Sequence, residues 1–195
     1  MKLLFSDPDW LVVDKPAGWL TVPGRPSPQS PPVLRARVEA EHGPVWVVHR
    51  LDRQVGGLIL FARTPQAHRR ASLAFESREV SKTYQAKTVG QAPKQAKQRF
   101  LDRLKRGKKR VYPHAQGKDC ETRARCLGPV DGGLGWELNP VTGRNHQLRV
   151  QLAQRGWPIL GDVLYGGPES EGEGIALRSV ALSTPFGDFS APPLL

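Results

Sequence analysis

Between positions 56 and 62 the chain reads GGLILFA, an apolar run that predicts a buried strand. Upstream, WLVVDKPAGWLTVPG (10–24) predicts a short strand, a turn built on Lys15-Pro16 and Ala17-Gly18, and a second extended piece. RPSPQSPP (25–32) is too rich in proline for either regular element and predicts an exposed loop. Residues 33–42 can form a helix with Val33, Leu34, Val38 and Ala40 turned inward. TPQAHRRASLAFES (64–77) predicts a second helix, with Thr64 as N-cap and Pro65 at the first helical position. KTYQAKTVG (82–90) alternates and ends on glycine, the pattern of a strand.

Further along, ETRARCLG (121–128) and GLGWELNPVTG (133–143) predict two strands meeting at a glycine-rich hairpin. RNHQLRVQLAQRG (144–156) predicts an amphipathic helix stopped by Gly156. WPILGDVLYGG (157–167) is punctuated by Pro and Gly and predicts a loop, and GPESEGEG (167–174) an acidic, mobile one. IALRSVALSTPF (175–186) returns the chain to the sheet. Strand and helix signals mix without strict βαβ alternation, so the expected class is α+β with a largely antiparallel sheet.

Charge changes the picture at 91–118. This loop-like stretch holds ten Lys/Arg and a single acid, Asp102, and so carries +9 of the chain's formal +11. A block of like charges repels itself unless a partner neutralises it, and a phosphate backbone is the natural partner. A solubilising loop is the plain alternative. At 195 residues the chain is one ordinary domain, or one domain with an extension, and with 38% hydrophobic residues it can bury a core.

No apolar run approaches the roughly 18 residues of a spanning helix. The start, MKLLFSDPDW, breaks at Asp7-Pro8 before a signal-peptide core could form. Two cysteines, Cys120 and Cys126, imply no disulfide framework, and with His114 they are too scattered for a metal site. A cytoplasmic protein with a nucleic-acid partner and no membrane association is the expectation.

Three stretches carry candidate chemistry. HRLD (49–52) stands just before the apolar run and holds Asp52 between Arg50 and Arg53. SKTYQA (81–86) places Tyr84 on a strand, and GRNHQLRVQLAQRGWPILGDVLYG (143–166) places Leu148 and Arg149 on a helix. Each has a dull reading alone: a surface ion pair, a half-buried tyrosine, an exposed helix charge.

Together they resemble the RluA-type family of RNA pseudouridine synthases. The first stretch resembles that family's H-R-L-D-x-x-T-S-G-L-L-L-F-A, and SKTYQA its K-x-Y. The third is similar to G-R-T-H-Q-I-R-V-H-L-A…G…P-I…G-D…Y-G. LVVDKPAG (11–18) and ALRSVALSTP (176–185) resemble the family's opening and closing segments, so the resemblance runs from about residue 9 to 193.

The resemblance implies the pseudouridine synthase fold: α+β, a mixed, mainly antiparallel central sheet with flanking helices and a central cleft. It implies isomerisation of a uridine within RNA, in which the N1–C1′ bond is replaced by C5–C1′. Asp52 matches the family's catalytic aspartate, Tyr84 the tyrosine that packs against the target base, and Arg149 the arginine that pairs with the aspartate. Leu148 matches the apolar residue beside that arginine, and Arg50 the arginine that fills the gap in the RNA. The chemistry fits these residue types. A carboxylate can attack covalently or stabilise positive charge developing on the sugar, and an arginine nearby keeps it ionised against desolvation.

The chain departs from the pattern at Val55-Gly56 in place of Thr-Ser, Asn145 in place of Thr, and Gln151 in place of His. These positions bear on the hydrogen bonding near Asp52 and on the choice of RNA. One catalytic domain over 1–195 is expected, monomeric, with no separate N-terminal RNA-binding domain, no cofactor and no metal. Ribosomal RNA is favoured over transfer RNA as substrate. The competing reading is a catalytically inactive relative that binds or remodels RNA. A nucleoside hydrolase fits worse, because a small neutral substrate gains little from a +9 stretch.

Overall fold

The computed structural model describes residues 1–25, 28 and 30–195 of the chain. The elements in order are β1 (Lys2–Ser6), β2 (Trp10–Lys15), α1 (Leu34–His42), β3 (Trp46–Val47), β4 (Gly56–Ala62), α2 (Pro65–Glu76) and β5 (Ser81–Thr88). There follow β6 (Lys97–Arg106), β7 (Val111–Pro113), β8 (Lys118–Val130), β9 (Gly133–Pro140), α3 (Gln147–Gln154), a 3-10 turn at Val163–Tyr165, β10 (Leu177–Thr184) and β11 (Gly187–Ser190). The result is a mixed, mainly antiparallel sheet with three helices, the α+β class expected. Among the described residues no helix is long and apolar enough to cross a membrane.

The chain divides into two compact units, Met1–Val80 with Ser179–Pro192, and Ser81–Arg178 with Pro193–Leu195. In the first unit, β2 runs antiparallel to both β1 and β4, and β10 turns back into β11. Strand β4 is buried at every position, which is why its sequence is apolar throughout rather than alternating. Leu58, Leu60 and Ala62 point to one face and pack with Trp10, Val12, Leu182 and the Ala67 and Ala71 methyls of α2. Each large apolar side chain so buried is worth about 1.5–3 kcal/mol. Helix α2 begins as its sequence predicts, with Thr64 Oγ1 accepting from the Ala67 N–H and Pro65 in the first turn.

Helix α1 buries Leu34 and Val38, but Ala40 is exposed and Val33 stays outside as the N-cap. A nine-residue helix with two buried positions needs no third inward row. The proline-rich loop expected over 25–32 lies partly outside the described residues. Its described positions, 25, 28 and 30–32, belong to no helix or strand.

The second unit is an antiparallel sheet in the order β5-β9-β8-β6-β7, covered on one face by α3. Trp136 is its largest fully buried side chain; its indole donates to Thr88 Oγ1, and its ring packs against Phe100 and Trp157. Two sequence-based expectations change here. The basic stretch 91–118 is not a loop: from Lys97 it is a β-hairpin, with Phe100 and Leu104 facing inward every fourth residue and Lys97, Arg99 and Arg103 outward. Helix α3 is not amphipathic, because six consecutive residues, Gln147 to Leu152, are buried.

Candidate active site

A fixed loop in the first unit carries Asp52. The neighbour before it, Leu51, is clasped by Thr21, whose hydroxyl donates to the Leu51 carbonyl at 3.2 Å and accepts from its N–H at 3.3 Å. Arg53, the neighbour after it, offers its carbonyl to the Gly18 N–H at 2.8 Å and to Lys15 Nζ at 3.2 Å. The Asp52 carbonyl itself closes a turn with the Val55 N–H at 3.1 Å. Four hydrogen bonds to the segment 15–21 thus hold the backbone on both sides of a half-buried carboxylate. The Arg50 and Arg53 side chains are exposed.

Lys15 is the residue that sequence reading missed as anything but a turn former. It is completely buried, and its ammonium donates to three carbonyls, those of Pro16 (2.9 Å), Trp19 (2.9 Å) and Arg53. Burial lowers its pKa to about 8, while the charges of Asp52 and Asp14 oppose that shift. A buried lysine that still has three acceptors and two carboxylates nearby is a local source of positive potential at Asp52.

The strand behind the loop must approach its neighbour closely. Gly57 has φ +113°, and a Cβ there would lie 2.1 Å from the Ser179 carbonyl oxygen, so only glycine fits. His49 is structural: its Nε2 accepts from the Leu60 N–H at 3.0 Å, which puts the proton of the neutral ring on Nδ1, and the ring stacks on Phe75. Val55, where the family pattern has Thr, is buried, and Gly56 opens β4.

Tyr84, Leu148 and Arg149 belong to the second unit. Tyr84 is half-buried at the centre of β5, opposite Leu138, on the same face of the strand as Lys82, whose ammonium is held below its ordinary pKa by burial. Leu148 and Arg149 are both buried on α3. Arg149 forms a two-pronged pair with Asp162, Nε to Oδ2 and Nη2 to Oδ1, each 2.7 Å. Both side chains are at most 3% exposed, and the guanidinium lies 5.0 Å from the Tyr165 ring centre. Nε and Nη2 share one edge of the guanidinium, so this pair fixes that edge.

The rest of α3 is anchored polar group by polar group. Gln147 donates to the Glu121 carbonyl and Thr122 Oγ1 and accepts from the Arg144 N–H and Thr142 Oγ1. Gln151, which replaces the family's His, accepts from Thr122 Oγ1 at 2.6 Å and donates to Asp102 Oδ2 at 2.8 Å. These partners lie on β6 and β8, so this departure from the pattern serves the seam between helix and sheet. Asn145 is exposed. His146 opens the helix at φ 50°, ψ 21°, a left-handed conformation costing a non-glycine residue about 1–2 kcal/mol. Neither thiol is reactive in character: both cysteines are buried, and desolvation pushes Cys120 up to about 11.

The family model described as RNA pseudouridylate synthase matches residues 9–154. The dual-specificity RNA pseudouridine synthase RluA of Yersinia pestis is 36% identical over 176 residues, covering 88% of this chain and 84% of the relative. Its namesake from Pasteurella multocida is 32% identical over 207 residues, covering 99% and 93%. Among solved structures, human RNA pseudouridylate synthase domain containing 1 superposes with a TM-score of 0.81 at 24% identity, covering 98% of this chain and 82% of that one. Human RNA pseudouridylate synthase domain containing 4 gives 0.79 at 21%, covering 98% and 88%. The chain belongs to the RNA pseudouridylate synthase family of isomerases, in its RluA-type branch.

Proposed function

We propose that the chain, acting over residues 1–195 as one monomeric catalytic domain in the cytoplasm, converts a specific uridine of ribosomal or transfer RNA to pseudouridine, with Asp52 as the catalytic carboxylate. The observation that carries this is the clasp on Asp52: Leu51 and Arg53 are both tied to the segment 15–21, while the carboxylate between them stays half-buried. A surface ion pair needs no such fixing; a group that must meet one atom of a flipped nucleotide does. Ribosomal RNA is favoured, and the designation of the bacterial relatives as dual-specificity enzymes supports offering more than one RNA class.

The target nucleotide leaves its stack, most cheaply from a loop or bulge. Asp52 supports cleavage of N1–C1′, by attack or by stabilising positive charge on the sugar. The freed uracil turns while held against the Tyr84 ring, an interaction worth about 1–3 kcal/mol for a stacked base. C5 then bonds to C1′, the C5 proton leaves to solvent, and N1 takes up a proton in its place. Nothing is added and nothing is oxidised, so this chemistry requires no cofactor. Arg149, with Leu148 packed beside it, supplies positive charge to the carboxylate, and exposed Arg50 occupies the gap left by the base. The basic hairpin β6–β7 binds phosphates. Uridine labelled with tritium at C5 tests this: wild type releases tritium from RNA, and Asp52→Ala does not.

A further inference from the structure

Asp162 and Tyr165 stand in the G-D…Y-G segment, and the reaction as described gives neither a task. Asp162 grips Arg149. Tyr165 touches more. Its ring lies beside the Arg149 guanidinium, 5.0 Å from centre to Cζ. Its hydroxyl oxygen accepts from the Val111 N–H at 3.0 Å, on the basic hairpin, and lies 2.8 Å from His146 Nδ1, at the head of α3. Its ring also packs into the small core of Leu104, Val111, Cys120 and Val150.

All three polar groups are satisfied at once in one arrangement. Val111 donates to the tyrosine oxygen, and the tyrosine O–H donates to Nδ1 of a neutral His146. This bond matters because of where His146 sits. It caps α3 in a left-handed conformation with no side-chain cap bond to the helix. Tyr165 thus holds the helix head at His146, beside the anchors that Gln147 makes to β8. Three residues after His146 comes Arg149.

We propose that Tyr165 is a positioning residue that locks the basic hairpin to the head of α3, so that the RNA-binding arm and Arg149 keep one fixed geometry. The functional part rests on the roles proposed above for Arg149 and the hairpin. The hydroxyl joins hairpin and helix, and the ring flanks the guanidinium that Asp162 grips.

Tyr165→Phe keeps the ring and removes the junction; Tyr165→Leu removes both. Single-turnover tritium release at saturating RNA, the Kd for the same RNA, and amide exchange of the free protein are measured well below each variant's Tm. Tyr165→Phe is expected to slow the chemical step about tenfold with Kd changed less than about threefold, and Tyr165→Leu to slow it about a hundredfold. Amide exchange should accelerate together at Val111 and Val150 in both. A Tyr165→Phe enzyme with a wild-type rate overturns the proposal, as does loss of rate only in proportion to loss of RNA binding. Should wild type release no tritium, the proposed function falls, and the junction is judged by exchange alone: faster exchange at Val111 without Val150 refutes it.

Discussion

Lys15 Nζ donates to the carbonyl oxygen of Arg53 across 38 positions of sequence, at 3.2 Å. Through this bond a fully buried cation fixes the residue that follows Asp52 and lies within electrostatic reach of its carboxylate. The cations that flank Asp52 in sequence, Arg50 and Arg53, are exposed, whereas Lys15 brings a buried positive charge to it.

Activity should therefore fall as Lys15 loses its proton. Its pKa of about 8 places a descending limb of the single-turnover pH profile near that value. Lys15→Met should slow the reaction about a hundredfold at pH 7, because a shift of the Asp52 loop of order 1 Å costs that much. A profile that stays flat to about pH 9.5, beyond any effect on RNA, would remove Lys15 from the site.

Stability runs the other way with pH. Burial lowers the Lys15 pKa from the ordinary 10.5 to about 8, so between these values the unfolded chain binds more protons than the folded one. The contribution of this group to stability is lowest below pH 8 and rises from 8 to 10.5. The unfolding free energy of wild type minus that of Lys15→Met, taken in urea at pH 7 and pH 10, should increase. An unchanged difference would mean the side chain is not held as a buried cation.

The Arg149–Asp162 pair should be costly to break from one side. Asp162→Ala leaves a buried guanidinium without its two-pronged acceptor, a loss of about 3–5 kcal/mol. For a chain of this size that is a fall in Tm of order 10 °C, read by calorimetry. A shift under about 3 °C would show that Arg149 finds another home, and with it a different orientation.

Gln151→Leu should destabilise without touching chemistry. It removes the acceptor of the Thr122 hydroxyl proton and one of two donors to Asp102 Oδ2, which keeps Arg155, at a cost of about 1–2 kcal/mol. The single-turnover rate well below Tm should stay within about threefold of wild type. A large loss of rate in a folded protein would return this position to the active site.

Replacing Lys108, Lys109 and Arg110 by Ala should weaken RNA binding and flatten its salt dependence. For every phosphate that the variant no longer neutralises, the slope of log K against log salt falls by about 0.7–0.9. All three side chains are exposed, so Tm should hardly move. An unaltered slope would leave the hairpin as a solubilising surface.

Strand β4 and helix α2 were legible because local signals agree with burial: an unbroken apolar run for the one, Thr64 and Pro65 for the other. The hairpin β6–β7 was not, because its inward positions, Phe100, Leu104 and Val111, are spaced among Lys and Arg that hide the alternation. Helix α3 looked amphipathic because Gln147, Arg149 and Gln151 are polar by name; their burial depends on partners in β8, β6 and the 3-10 region that no periodicity reports. The motif residues Asp52, Tyr84 and Arg149 could be named from short patterns. The groups that hold the Asp52 loop and α3 in place, Lys15, Thr21, Asp162 and Tyr165, act across 13 to 54 positions of sequence and become visible only in three dimensions.

The central measurement is tritium release from RNA carrying C5-labelled uridine, with unmodified ribosomal and transfer RNA offered separately to wild type and to Asp52→Ala. Release by wild type from at least one RNA, and none by the variant at equal RNA binding, is the expected result. Equal release by both proteins would take the catalytic role from Asp52. Salt-sensitive binding by wild type with no release from either RNA would contradict the proposed isomerase and leave an RNA-binding relative in its place.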